Sequence, residues 1–137
     1  MIVFVDTNII LDILLGNPTA EISKKVLALG STKFDLYISA SSAVDIIYKV
    51  QKTKHDIEYT KKVILNILNF VKIAAIDESC IENALQSNWN DVEDSVQHQV
   101  ALQIGADLIV TWNVSDFKKS AVRVATPNEF LEISKKL

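Results

Sequence analysis

Four aspartates punctuate the chain at wide intervals, each beside small polar residues: Asp6 in V-D-T-N, Asp45 in I-S-A-S-S-A-V-D, Asp94 in D-V-E-D and Asp116 in T-W-N-V-S-D-F. Each falls where a strand is expected to end or near a helix N-terminus, and in an open α/β sheet ligand sites form beyond the strand ends. Gathered in one cleft, four carboxylates would repel one another unless a cation stood among them. Hard divalent ions such as Mg²⁺ or Mn²⁺ accept oxygen ligands of this kind and leave positions open for substrate phosphates. The chemistry such a set supports is metal-assisted attack on a phosphodiester.

Each acid also has a plainer role to weigh. Asp6 closes an apolar run and opens a helix, so it could cap that helix, where a carboxylate favours the positive end. Asp12, one and a half turns on, is expected to be solvated. Asp45 lies roughly opposite an expected apolar stripe of Ala40, Ala43, Val44 and Ile47, and Asp94 lies far around its helix from Val92, Val96 and Val100. Both therefore read as exposed. Asp91 is expected to cap the helix that carries Asp94, and Asp116 could open a short turn. Periodicity places the carboxylates off the buried faces and does not show that they converge. A zinc site of Asp94 with His98 finds no third soft ligand, and His55 reads as a surface residue at a helix start.

The elements that must position these groups alternate. Ile2–Val5 reads as a parallel strand buried on both faces, followed by a helix to Leu15 that Gly16 closes. Asn17 is expected to cap a second helix, with Pro18 at its first position and Gly30 after its end. Phe34–Ile38 reads as a strand, and Ser39 caps a helix to about Gln51. Residues 55–71 carry an amphipathic pattern, 72–76 a third strand, and Asp77 caps a helix to about Gln86. After the Asn88-Trp89-Asn90 loop, a helix runs from Asp91 to Gly105. Strands follow at 106–111 and 122–125, and Thr126-Pro127-Asn128-Glu129 is a capping box for the last helix. The expectation is a single domain over 1–137, a three-layer α/β/α sandwich around a mainly parallel five-stranded sheet.

Composition narrows the class. At 137 residues the chain can bury a core unaided. The lone Cys80 rules out an internal disulfide. The start M-I-V-F-V-D lacks a basic region, so no signal peptide is expected, and no stretch is long enough to span a bilayer. A cytoplasmic protein with no membrane partner is the expectation. A net charge of −3 is awkward for binding nucleic acid, although acids in a metal site would account for part of it. Lysines cluster at 49, 52 and 54, at 61 and 62, and at 118 and 119, where solvated helix faces are the simpler reading.

The ordered contexts resemble a PIN domain, and more narrowly the toxin ribonucleases of VapBC toxin–antitoxin pairs. The residues that carry this are V-D-T-N-I-I-L-D at 5–12, I-S-A-S-S-A-V-D at 38–45, D-V-E-D-S-V-Q at 91–97, G-A-D-L-I-V-T-W-N-V-S-D-F at 105–117 and V-R-V-A-T-P-N-E-F-L at 122–131. The resemblance implies that Asp6, Asp45, Asp94 and Asp116 form an acidic metal-binding centre, with Asn8, Thr111 and Asn113 supporting it and Asp91 a secondary acid. It implies Mg²⁺ or Mn²⁺ as cofactor and endonucleolytic cleavage of single-stranded or looped RNA. It also implies a small antitoxin partner covering the cleft, and homodimerisation through helices of the N-terminal half. The chain departs from the family in three places. Asp45 stands where Glu is usual, one methylene shorter; Trp112 stands where Arg is frequent; and Asn113 stands where some members have Asp.

Other readings fit less well. A haloacid-dehalogenase-type phosphatase wants a second acid where Asn8 stands. A receiver domain wants paired acids after the first strand and an acceptor at Asp77, which has an ordinary capping role. The non-enzyme alternative is a catalytically silent PIN-like module binding RNA or protein, which the Asp45 and Trp112 departures would favour.

Overall fold

The computed structural model describes residues 1–137. Five strands, β1 (Ile2–Val5), β2 (Asp35–Ser39), β3 (Val71–Ala74), β4 (Leu108–Val110) and β5 (Arg123–Ala125), form one sheet in the order β3-β2-β1-β4-β5. Every pairing is parallel, with Val3 facing Leu36 on one side and Leu108 on the other. Seven helices surround it: α1 (Thr7–Leu14), α2 (Ala20–Ala28), α3 (Ala40–Lys54), α4 (Ile57–Ile67), α5 (Glu78–Gln86), α6 (Val92–Gln103) and α7 (Pro127–Lys135).

The two-residue period of a strand divides the core. Val3 and Val5 point to one face, where they meet Ile9 and Ile10 of α1, Ile46 and Val50 of α3 and Phe130 of α7. Phe4 and Ile109 point to the other, against Val100 and Ala101 of α6, Cys80 of α5 and Phe117. Burial on both sides is why β1 is a continuous apolar run.

The expected caps are present: Ser39 accepts from Ser42 N, Asp77 from Cys80 N, and Thr126 closes a capping box with Glu129. Gly16 follows α1 at φ 66°, the left-handed conformation that favours glycine.

Other expectations shift. The second helix begins at Ala20, after an Asn17–Thr19 turn. Gly30 is not a left-handed stop; it lies in a 3₁₀ turn over Leu29–Ser31, where a Cβ would collide with the Phe70 carbonyl oxygen. Close approach of two turns is what demands glycine there. α4 stops at Ile67, and Val71 opens β3 instead of closing the helix.

The apolar stripes of α3 and α6 are rotated from the expected ones. α3 buries Ser42, Ile46 and Val50 and leaves Val44 67% exposed; α6 buries Ser95, Gln97 and His98 and leaves Val92 43% exposed. Hydrogen bonding lets these polar side chains go inside, and a hydrophobic wheel counts them as outside. Asp45 and Asp94 consequently sit half-buried at the flanks of their helices.

Candidate active site

β1 feeds β2 and β3 on one side, and the chain then crosses to lay β4 and β5 on the other. The reversal opens a crevice beyond the C-terminal ends of β1 and β4. Asp6 stands directly after β1. Its backbone N–H continues the ladder to the Val110 carbonyl at 2.9 Å, but its side chain caps nothing. The carboxylate instead accepts 2.7 Å from Thr111 Oγ1, a fully buried hydroxyl directly after β4. Thr111 is itself fixed, its oxygen accepting from Asn113 N at 2.9 Å and from Asn8 Nδ2 at 3.4 Å. Asn8 Oδ1 also accepts from Trp112 N at 3.4 Å. The two strand ends are thus laced together around one carboxylate.

Asp94 lies in the first turn of α6, whose N-cap Asp91 accepts the Asp94 backbone N–H at 3.0 Å. Burial first, and then the charges of Asp91, Asp116, Asp6 and Glu93, push the Asp94 carboxyl up to about 6. Burial also raises Asp6 against the lowering bonds from Thr111 and Thr7, and Asp116 and Glu93 add to the rise. Asp116 sits in a 3₁₀ turn over Val114–Phe117, its N–H bonded to the Asn113 carbonyl. The charges of Asp116 and Glu93 thus act on both Asp6 and Asp94, and those of Asp6 and Asp91 act on Asp94 as well. Asp45 is placed differently: it pairs with Lys49 at 3.1 Å and is not among the principal charges acting on Asp6 or Asp94.

A cleft of about 220 Å³ is lined by Trp89, Asn90, Asp91, Asp94, Ser115, Asp116, Lys118 and Lys119. The donor set suits a hard divalent cation. No Lys or Arg pairs with Asp6, Asp91, Glu93, Asp94 or Asp116, so their mutual repulsion is left for a cation to relieve. No three His, Cys, Asp or Glu side chains close into a ready-made cage.

Three features escaped the sequence reading. Glu93 acts on both Asp6 and Asp94; its acidity in D-V-E-D was the available signal. A seam of hydroxyls joins three helices beside the crevice: Thr7 Oγ1 to Ser42 Oγ at 2.5 Å, Ser42 to Ser39 at 3.0 Å, Ser39 to Ser41 at 3.1 Å, and Gln97 Nε2 to Ser41 at 3.0 Å. Asp12 is the clearest correction, being 4% exposed instead of solvated. It accepts from Thr19 Oγ1 at 2.7 Å and Ser23 Oγ at 2.6 Å, and Trp112 Nε1 donates 3.1 Å to the same Ser23. Burial pushes its carboxyl up, but the hydrogen bonds from Ser23 and Thr19, with the Asn17 amide and the Trp112 indole nearby, hold it below the usual range. A lone acid inside the apolar run I-I-L-D-I-L-L was the signal. Trp112 thus turns its indole N–H inward and packs on the core.

His98 is no metal ligand here. It is buried, stacked 4.8 Å from Trp89, with Nε2 accepting from Ala121 N at 3.1 Å. Burial lowers its pKa.

A parallel sheet reversing at β1, with carboxylates at the reversal, defines an α/β protein of the PIN type. A family model described as PIN domain matches residues 2–115, and the chain belongs to that family. It is 28% identical over 140 aligned residues to the ribonuclease VapC1 of Aquifex aeolicus (strain VF5), covering 95% of this chain and 93% of that one. Among solved structures, VapBC2 from Rickettsia felis bound to a DNA fragment from its promoter superposes with a TM-score of 0.70 at 19% identity, over 92% of this chain and 98% of that one. VapC20 of Mycobacterium tuberculosis, a sarcin-ricin-loop-cleaving toxin, superposes with a TM-score of 0.62 at 14% identity, over 78% and 86%.

Proposed function

We propose that this protein is a divalent-metal-dependent endoribonuclease that cuts single-stranded or looped RNA, and that it is the toxin of a toxin–antitoxin pair. The observation that carries the reading is the acidic centre at the β1–β4 crevice, where neighbouring carboxylates act on Asp94 and no Lys or Arg forms an ion pair with them. Family membership supports the same reading, as do the ribonuclease VapC1 and the loop-cleaving VapC20 among its likenesses.

In this reading Asp6, Asp94 and Asp116 hold Mg²⁺ or Mn²⁺, and Asp45 joins them by exchanging Lys49 for the cation. The ion, when bound, supplies positive charge against the phosphate and lowers the pKa of a coordinated water. The chain supplies the geometry. Thr111, itself held by Asn8 and the Asn113 backbone, keeps one face of the Asp6 carboxylate fixed. Asp91 caps α6 and so fixes the turn that presents Asp94.

Partners follow from the same reading. The VapBC complex from Rickettsia felis is among the structural likenesses, and an antitoxin covering the cleft is the partner proposed here. Val44, Tyr48 and Leu65, 67%, 61% and 66% exposed on α3 and α4, offer apolar surface for a second copy of the chain. The competing reading, a module that binds RNA or protein without cutting, draws on the Asp45–Lys49 pair. Incubating a mixed single-stranded RNA pool with Mg²⁺, Mn²⁺ or EDTA separates the two. Cutting with metal alone, lost in Asp6→Asn, supports the enzyme; no cutting by folded, antitoxin-free protein under any metal supports the module.

A further inference from the structure

The cleft that holds Asp94 and Asp116 carries both signs of charge. Lys118 and Lys119 line the same hollow of about 220 Å³, and neither ammonium pairs with a carboxylate. The ion pairs of the molecule use Lys24, Lys49, Lys61, Lys72 and Lys135 instead. Flexible lysines beside uncompensated acids would ordinarily fold onto them, because opposite charges at contact attract even near a wet surface.

The local frame accounts for the separation. Lys119 Nζ donates 2.5 Å to the Asn88 carbonyl, tying the segment to the loop before α6. Ala121 N donates to His98 Nε2 at 3.1 Å, tying its far end to α6 itself. Phe117, 2% exposed, anchors its start under Trp89. Residues 118–121 are thus fastened at three points. Two cations without a carboxylate partner thus share the cleft with Asp91, Asp94 and Asp116.

A cleft that is acidic throughout would repel every phosphate of a nucleic acid except one neutralised by metal. A single strand entering it needs cations beside the centre to hold a neighbouring phosphate. We propose that Lys118 and Lys119 form a phosphate subsite that holds the RNA backbone phosphate adjacent to the one being cut. The subsite rests on the ribonuclease reading above. It assigns a purpose to the lysine cluster that shares a cleft with Asp94 and Asp116, whereas Lys61 and Lys62 lie on α4, which leads to β3 at the opposite edge of the sheet.

The test is fluorescence anisotropy of a short, unstructured, end-labelled RNA with Mg²⁺ over a salt series, in an Asp94→Asn background that does not consume the ligand. Replacing both lysines (Lys118→Gln with Lys119→Gln) is expected to weaken binding on the order of tenfold at low salt. The slope of log affinity against log salt should become shallower by about 0.7 for each phosphate no longer neutralised. Lys61→Gln with Lys62→Gln should leave both quantities unchanged, and Lys118→Arg with Lys119→Arg should restore them. In the otherwise native enzyme the double Gln variant should raise KM more than it lowers kcat. An unchanged slope, or an equal change in the α4 control, overturns the subsite while leaving the nuclease reading intact. Wild-type protein that cuts no RNA under any metal overturns the nuclease reading instead, whatever the salt slopes show.

Discussion

At the scale of single residues, Asp94 is where the fold works against itself. Its carboxyl, raised to about 6 by burial and by Asp91, Asp116, Asp6 and Glu93, binds a proton more tightly in the folded than in the unfolded chain. Its contribution is therefore complete below the unfolded value near 4 and is lost as pH rises through about 6. A shift of that size corresponds to about 3 kcal/mol, and partial exposure reduces it to roughly 1 kcal/mol. Asp94→Asn in EDTA is expected to raise the melting temperature at pH 7.5 by about 3–5 °C, and to lose that gain near pH 4. Mg²⁺ should stabilise the wild type more than the variant; equal melting curves in EDTA at both pH values would contradict this. That Asp6 follows a strand and Asp91 caps a helix was legible in the sequence, because both signals are local. The siding of Asp45 and Asp94 was not, since their helices bury Ser42, Ser95, Gln97 and His98, which hydrophobic periodicity assigns to solvent.

At the scale of elements, Asp12 joins α1 and α2 to the turn after β4. Removing it leaves Thr19 and Ser23 without their shared acceptor and loosens the hold of Ser23 on Trp112. Bonds to a buried charge each contribute about 1.5–3 kcal/mol, so Asp12→Ala should cost about 2–4 kcal/mol by urea denaturation; a change below about 0.5 kcal/mol would place the cluster among surface effects. Gly30→Ala would drive a Cβ into the Phe70 carbonyl and should cost about 1–3 kcal/mol as overpacking, read in the same assay. The sequence announced that a helix ends near Gly30, but the reason lies in a turn some forty residues away. Likewise Val71 continued the apolar stripe of α4 and became a strand residue because β2 offers it a partner at Leu36. Caps, which are local, were readable; contacts between distant turns were not.

At the scale of the whole molecule, alternation of short apolar runs with amphipathic segments made the layered α/β class legible. The order β3-β2-β1-β4-β5, which creates the crevice at Asp6, is a pairing between segments distant in sequence and has no local signature. No helix is long and apolar enough to cross a membrane. The exposed apolar residues of α3 and α4 lead us to expect a dimer by light scattering, and Tyr48→Lys with Leu65→Lys to yield monomers; an unchanged mass in that variant would move the interface elsewhere. Everything proposed for the crevice depends on its acids carrying metal-dependent RNA cleavage. The most direct test is cleavage of one labelled single-stranded RNA by wild type and by Asp94→Asn, each with Mg²⁺ and with EDTA. Cutting by the wild type in Mg²⁺ alone, reduced at least about a hundredfold in Asp94→Asn, is the expected result. Cutting that survives EDTA, or that survives in folded Asp94→Asn, would contradict it.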